Sequence, residues 1–155
     1  MAVTIRPYQK SDLPECLRLG HLMHQESFYR FMHYSDDKSE RLLDLSNEQP
    51  ETYFCRVAAE DDGRLIGFFY SIRSPYFFSD EYVATDLFLY VEPDKRGSSV
   101  GVRFIKEYVK WAEDLGTAFI ALGVTTEINT DRTAQLFERL GFKHGGHLYR
   151  KPRNV

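Results

Sequence analysis

The chain has 155 residues, 43% of them hydrophobic, which fits one packed domain (1–155) and argues against intrinsic disorder. A formal charge of −3 gives no general attraction to nucleic acid or anionic membranes, and Arg150, Lys151 and Arg153 form only a short basic tail. No apolar run approaches membrane-spanning length, no signal segment opens the sequence, and Cys16 and Cys55 make no disulfide framework, so a soluble cytoplasmic protein is expected.

Val3–Pro7 alternates like a short first strand. Ser11–Glu15 then opens a helix: Asp12 is placed to cap it, Pro14 sits in the first turn, and Leu13, Cys16, Leu17 and Gly20 form the inward stripe. Residues 21–34 are polar and aromatic. Their His21, His24 and Glu26 lack the tight spacing of a ligand set on one helix face, so no metal is expected. Lys38–Asn47 reads as a second short helix. Tyr53–Ala59 and Leu65–Ile72 are strands joined through Asp62-Gly63, a tight hairpin signal. Ser74–Asp80 is a turn-prone loop carrying Tyr76, Phe77 and Phe78.

The central stretch is Leu87–Gly101. Leu87, Leu89 and Val91 point to one face and Phe88 and Tyr90 to the other, as in a strand covered on both sides. Pro93 ends the ladder. Gly97, Ser98, Ser99 and Gly101 carry little side chain, and a helix follows, with Val102, Ile105, Val109 and Ala112 at helical spacing and Gly116 as its stop. A helix start of this kind offers free N–H groups and a positive dipole end to phosphate, with Arg96 beside it. The Walker pattern is absent, and Phe104 stands where a dinucleotide fingerprint needs its third glycine. By itself the turn fits either a phosphate cradle or plain strand-to-helix packing. Ala118–Val124 is a further strand, Asp131–Leu140 a helix ended by Gly141, and Phe142–Lys151 supplies two last short strands around Gly145-Gly146.

Val91-Glu-Pro-Asp-Lys-Arg-Gly-Ser-Ser-Val-Gly101 resembles the acetyl-CoA signature of the GCN5-related N-acetyltransferases, with Arg96 on the Arg/Gln position and Gly101 on the last glycine. Ser99 replaces the middle glycine. Leu136-Phe-Glu-Arg-Leu-Gly-Phe142 resembles the second block of the same family, in the right order and at about the right distance. Ile5-Arg-Pro7 followed by Asp12, and Ile66-Gly67 in the third strand, also lie where the family would have them.

The resemblance implies an α/β fold with a mixed, mostly antiparallel sheet splayed between strands 4 and 5 and flanked by about four helices. It implies acetyl-CoA as co-substrate, its pantetheine arm along Leu89, Tyr90 and Val91 and its diphosphate on the turn of Arg96, Gly97, Ser98, Ser99, Val100 and Gly101. The partner it implies is an amine acceptor, a small molecule or a protein, with transfer direct and without metal. A homodimer along a sheet edge is common among such folds. Asp86, at the start of an apolar strand, is the first choice for the base, and Glu81 is the second. The family's general-acid tyrosine is here Phe137, so Tyr149 or Tyr90 would have to stand in, or water would serve. The alternative is a CoA-binding regulatory or interaction protein that has kept the fold and lost the chemistry.

Overall fold

The computed structural model describes residues 2–153. β1 (Val3–Pro7) leads into α1 (Leu13–Glu26) and α2 (Asp36–Glu48), followed by β2 (Tyr53–Glu60), β3 (Leu65–Pro75) and β4 (Tyr82–Val91). α3 (Val100–Asp114), β5 (Phe119–Ala121) and α4 (Thr130–Arg139) complete the order, with short 3-10 turns at Lys10–Asp12, Phe28–Phe31 and Pro93–Lys95. The five strands lie side by side in chain order, antiparallel except for the parallel pair β4 and β5. This is the mixed sheet with four flanking helices that the resemblance implied.

The alternation of β4 decides how the core divides. Phe88 and Tyr90 join Phe68, Tyr70, Val57 and Leu19 on the face covered by α1 and α2. Leu89 and Val91 pack on the opposite face with Phe69, Phe104 and Tyr108, beneath α3. Phe54, Phe69, Tyr108 and Trp111 meet ring to ring there, at centroid separations of 4.9 to 6.4 Å. Each such pair adds about 0.5–1.5 kcal/mol beyond its buried area.

Three local readings change. Asp12 does not cap α1 with its side chain; it accepts from the Gln9 N–H at 2.9 Å and pairs with both terminal nitrogens of Arg6, tying β1 to the helix start. The fully buried stripe of α1 is Cys16, Leu19 and Gly20, with Leu17 only half-buried, and the helix continues to Glu26. The two last strands expected at 142–151 are not formed: among the described residues, Phe142 onward carries no strand. β5 is only three residues long and offers no extended edge to pair with, and Gly145-Gly146 brings no side chains to hold one.

A buried ion pair fixes the exit of β4. Glu92 is 4% exposed and receives Arg18 from α1 at 2.5 Å and Arg64 from the β2–β3 hairpin at 2.8 Å. Two guanidinium partners are what makes burial of that carboxylate tolerable. Gly67 lets β3 lie close against this end of β4, since a Cβ there would stand 2.8 Å from the Tyr90 carbonyl oxygen and 3.3 Å from the Phe104 ring. Gly67→Ala is therefore expected to destabilise the protein by about 1–3 kcal/mol through overpacking. A lowered denaturant midpoint at unchanged m-value would show it, and an unchanged midpoint would mean that the strands have room to part.

Candidate active site

The site arises because β4 changes its neighbours halfway. Val83, Ala84 and Thr85 pair with Phe119, Ile120 and Ala121 of β5, and there that ladder stops. On its other edge β4 stays paired with β3 up to Val91, but through a bulge: Tyr70 faces Phe88 and Ser71 faces Asp86, leaving Leu87 without a cross-strand partner and 44% exposed. A bulge bends its strand and sharpens the twist, which turns the outer edge of β4 away from β5. Asp86 therefore lies in the middle of the strand, at the fork, rather than at the strand's start.

Beyond the fork the two chains enclose a cleft of about 600 Å³. Asp86–Val91 and the turn from Lys95 to Ser98 form one bank; Gly123–Thr126 and α4 form the other. The register with β3, continued by the bond from the Glu92 N–H to the Ile66 carbonyl, turns the peptide groups of Leu89 and Val91 outward into the cleft. Val91 shows this directly, because its carbonyl oxygen accepts from Arg96 Nε at 2.8 Å.

The turn after β4 is built for backbone contact. Gly97 has φ +87°, a conformation that a side chain would strain. Ser99 sits at φ −75° and ψ −2°, so the position where the family carries a middle glycine needs no positive φ here, and serine costs the backbone nothing. Among the described residues, the amides of Gly97, Ser99, Gly101 and Val102 meet no protein acceptor. A Cβ on Gly101 would have nothing within 4 Å and would enter open space at the cleft. Arg96, Gly97, Ser98 and Gly101 line the cleft, while Ser99 and Val100 form the turn behind them.

Arg96 is not a free cation. Its two terminal nitrogens hold both oxygens of Glu26 at 2.6 and 2.8 Å, and its guanidinium lies 5.3 Å from the Tyr90 ring. That pairing holds the Glu26 carboxyl below its usual range, while burial pushes the Tyr90 phenol up to about 12. The link joins the end of α1 to the turn across 70 positions of sequence, and no local pattern announces it.

At the fork, Asp86 Oδ1 accepts from the Gly123 N–H at 2.9 Å. Burial pushes its carboxyl up to about 6, against the opposing effect of the hydrogen bonds from Gly123 and from its own amide. Its cross-strand neighbour Ser71 is fully buried, with an Oγ that has no hydrogen-bond partner. Glu81 is exposed at the opposite end of β4 and is not part of the cleft lining. Tyr149 is 85% exposed and also stands outside it, near His147. Phe137, 7% exposed, forms part of the cleft wall. Tyr76, Phe77 and Phe78 cluster with Phe119 beyond the paired end of β5 and do not line the cleft.

The far wall is one that sequence reading missed. The Phe28 N–H donates to the Thr126 carbonyl at 2.8 Å. Arg150 lies 3.9 Å from the Phe28 ring, bonds the Thr125 carbonyl and the Tyr29 hydroxyl, and pairs with Glu127 at 3.0 Å. One arginine near the end of the chain thus clamps the 123–129 loop to the turn after α1. Among the described residues, no group of three or more His, Cys, Asp or Glu side chains is placed to hold a metal ion.

The raised Asp86 carboxyl has a consequence for stability. The folded protein holds that proton more tightly than the unfolded chain, so its contribution is full at low pH. It is lost as pH rises from the ordinary carboxylate value, about 4, through about 6. Asp86→Asn stays neutral throughout. Its stability relative to wild type is expected to rise across that window and level off above it, measured by denaturant melts at a series of pH values. A difference independent of pH would show that Asp86 is solvated.

Comparison with known proteins agrees with this geometry. The sequence profile described as the Acetyltransferase (GNAT) family matches residues 18–142. No curated protein shows a significant sequence match. Among solved structures, an acetyltransferase of Trypanosoma brucei is 20% identical over 98% of this chain and 100% of its own, with a TM-score of 0.75. A ribosomal-protein-alanine N-acetyltransferase from Brucella melitensis biovar Abortus 2308 is 21% identical over 99% and 100%, with a TM-score of 0.73. AAC(6')-Iy, solved with the bisubstrate analogue CoA-S-monomethyl-acetylneamine, is 17% identical over 100% of both chains, with a TM-score of 0.76. At these identities the likeness speaks for the fold, and the profile match over most of the length speaks for descent: the chain belongs to the Acetyltransferase (GNAT) family.

Proposed function

We propose that the protein transfers an acetyl group from acetyl-CoA directly to a primary amine of a small molecule or protein. The observation that carries this reading is the continuity of the cleft: an outward strand edge at Leu89–Val91 runs without interruption into the amide-rich turn at 97–101. An extended amide-bearing arm suits the edge, and a diphosphate suits the turn. The residues present fit acetyl-CoA, since Gly97 and Gly101 keep side chains out of the space that it would need.

Acetyl-CoA supplies an acyl group already activated as a thioester. The chain must do the rest. A free amine has a pKa of about 10.4 and must arrive neutral or be deprotonated in place. Asp86, ionised above about 6 and facing the fork, is the group in the cleft suited to take that proton. An outward N–H of β4 near the Leu87 bulge is the donor for negative charge developing on the carbonyl oxygen. Phe137 offers no proton, so the leaving thiolate takes its proton from water. Solved neighbours described as acting on ribosomal-protein alanine and on aminoglycosides support an amine acceptor as the class. Phe137 in the wall favours one other reading, a CoA-binding regulator without turnover.

Calorimetric titration with acetyl-CoA, followed by thiol-release assays over a panel of amines, separates these outcomes. Binding with turnover supports the transferase, binding without turnover on any acceptor supports the regulator, and absence of binding removes both. In an active enzyme Asp86→Asn is expected to lower kcat by about a hundredfold or more. The rising limb of the pH profile, centred near about 6, should disappear with it. Gly101→Trp is expected to abolish cofactor binding while leaving the melting temperature within a few degrees of wild type.

A further inference from the structure

Four cations border the cleft, and they are not equivalent. Lys95, Arg96, Arg132 and Arg139 all line it. Arg96 spends three N–H groups on Glu26 and the Val91 carbonyl. Unlike Arg96, but like Lys95 and like Arg139 in the last turn of α4, Arg132 in the first turn enters no ion pair or side-chain hydrogen bond among the described residues. It also reaches across the cleft: a Cβ on Gly97 would stand 3.2 Å from Arg132 Nη2. The guanidinium thus hangs over the glycine elbow of the opposite bank, and a side chain at Gly97 would push it back by a few tenths of an ångström. A cation in the first turn of a helix also opposes the helix dipole, an unfavourable placement that an anion held there would reverse.

Building on the acetyl-CoA reading, we propose that Arg132 is the cation that grips the diphosphate of the cofactor from the far bank, and that Arg96 is a positioning residue. Arg96 fixes the exit of β4 against the end of α1, so that the turn amides present themselves. Arg132 then holds the phosphate between those amides and its planar fork. A diphosphate, with oxygens on two phosphorus atoms, suits a guanidinium facing a row of N–H groups.

The test is isothermal titration of wild type, Arg132→Ala and Arg132→Lys with three ligands: CoA, 3′-dephospho-CoA, and S-acetylpantetheine, which has no phosphate. Arg132→Ala is expected to weaken CoA and dephospho-CoA alike by about tenfold to a hundredfold, the range for a hydrogen-bonded charge pair. S-acetylpantetheine should be unaffected, and the salt dependence of CoA binding should flatten. Arg132→Lys should recover part of the loss. If wild type binds CoA and Arg132→Ala binds it as tightly, the assignment is wrong while the acetyl-CoA reading stands. A loss confined to CoA would place Arg132 on the 3′-phosphate, and an equal loss for all three ligands would mark general damage to the cleft; either overturns the proposal. If wild type binds none of the three ligands, the acetyl-CoA reading and this assignment fall together.

Discussion

The extra residue at Leu87 is the constraint from which the rest follows. Because the ladder with β3 slips by one residue at Tyr70 and Ser71, β4 bends and its outer edge is freed from Leu87 to Val91. A freed edge inside a protein is costly unless something satisfies its peptide groups. Here Arg96 satisfies the Val91 carbonyl. The remaining outward groups face the cleft, where an extended substrate could complete them.

Holding the two banks apart requires rigid margins, and the protein supplies them with charge pairs between distant segments. Arg18 and Arg64 converge on buried Glu92, Arg96 locks to Glu26, and Arg150 binds the 123–129 loop to the Phe28–Phe31 turn. Such pairs add little when exposed; the one at Glu92 is buried and the one at Glu26 is exposed, and each sits where a strand or helix ends. Their contribution is geometric. They set where the turn amides and the fork carboxylate stand, and α3 packs beneath on an aromatic cluster that tolerates little movement.

Much of this was legible in the sequence, because hydrophobic period and turn chemistry are local. The division of Phe88 and Tyr90 from Leu89 and Val91, the Asp62-Gly63 hairpin and the glycine stops at Gly116 and Gly141 all appear as read. Leu87, read on the face of Leu89 and Val91, instead stands exposed in the bulge. The bulge was not legible. A single inserted residue leaves a stretch as apolar as before, so Asp86 read as a strand start when it lies mid-strand at the fork. Pairings such as Arg96 with Glu26 and Arg150 with Thr125 join positions far apart, and no period encodes them. The expected last strands failed for a related reason: Phe142–Lys151 has strand-like residues, but a strand needs a partner edge, and β5 is too short to provide one. Ser99 strains no backbone where the family carries a middle glycine, since its φ of −75° suits serine as well as glycine.

Amide hydrogen exchange with and without acetyl-CoA tests most directly whether the freed edge of β4 is the cofactor's seat. Slowed exchange at Leu89 and Val91 together with Gly97, Ser99, Gly101 and Val102 is expected, with the β2–β3 ladder unchanged. Protection that appears elsewhere, or a bound complex in which these amides exchange as fast as before, would contradict the placement of the ligand in the fork between β4 and β5.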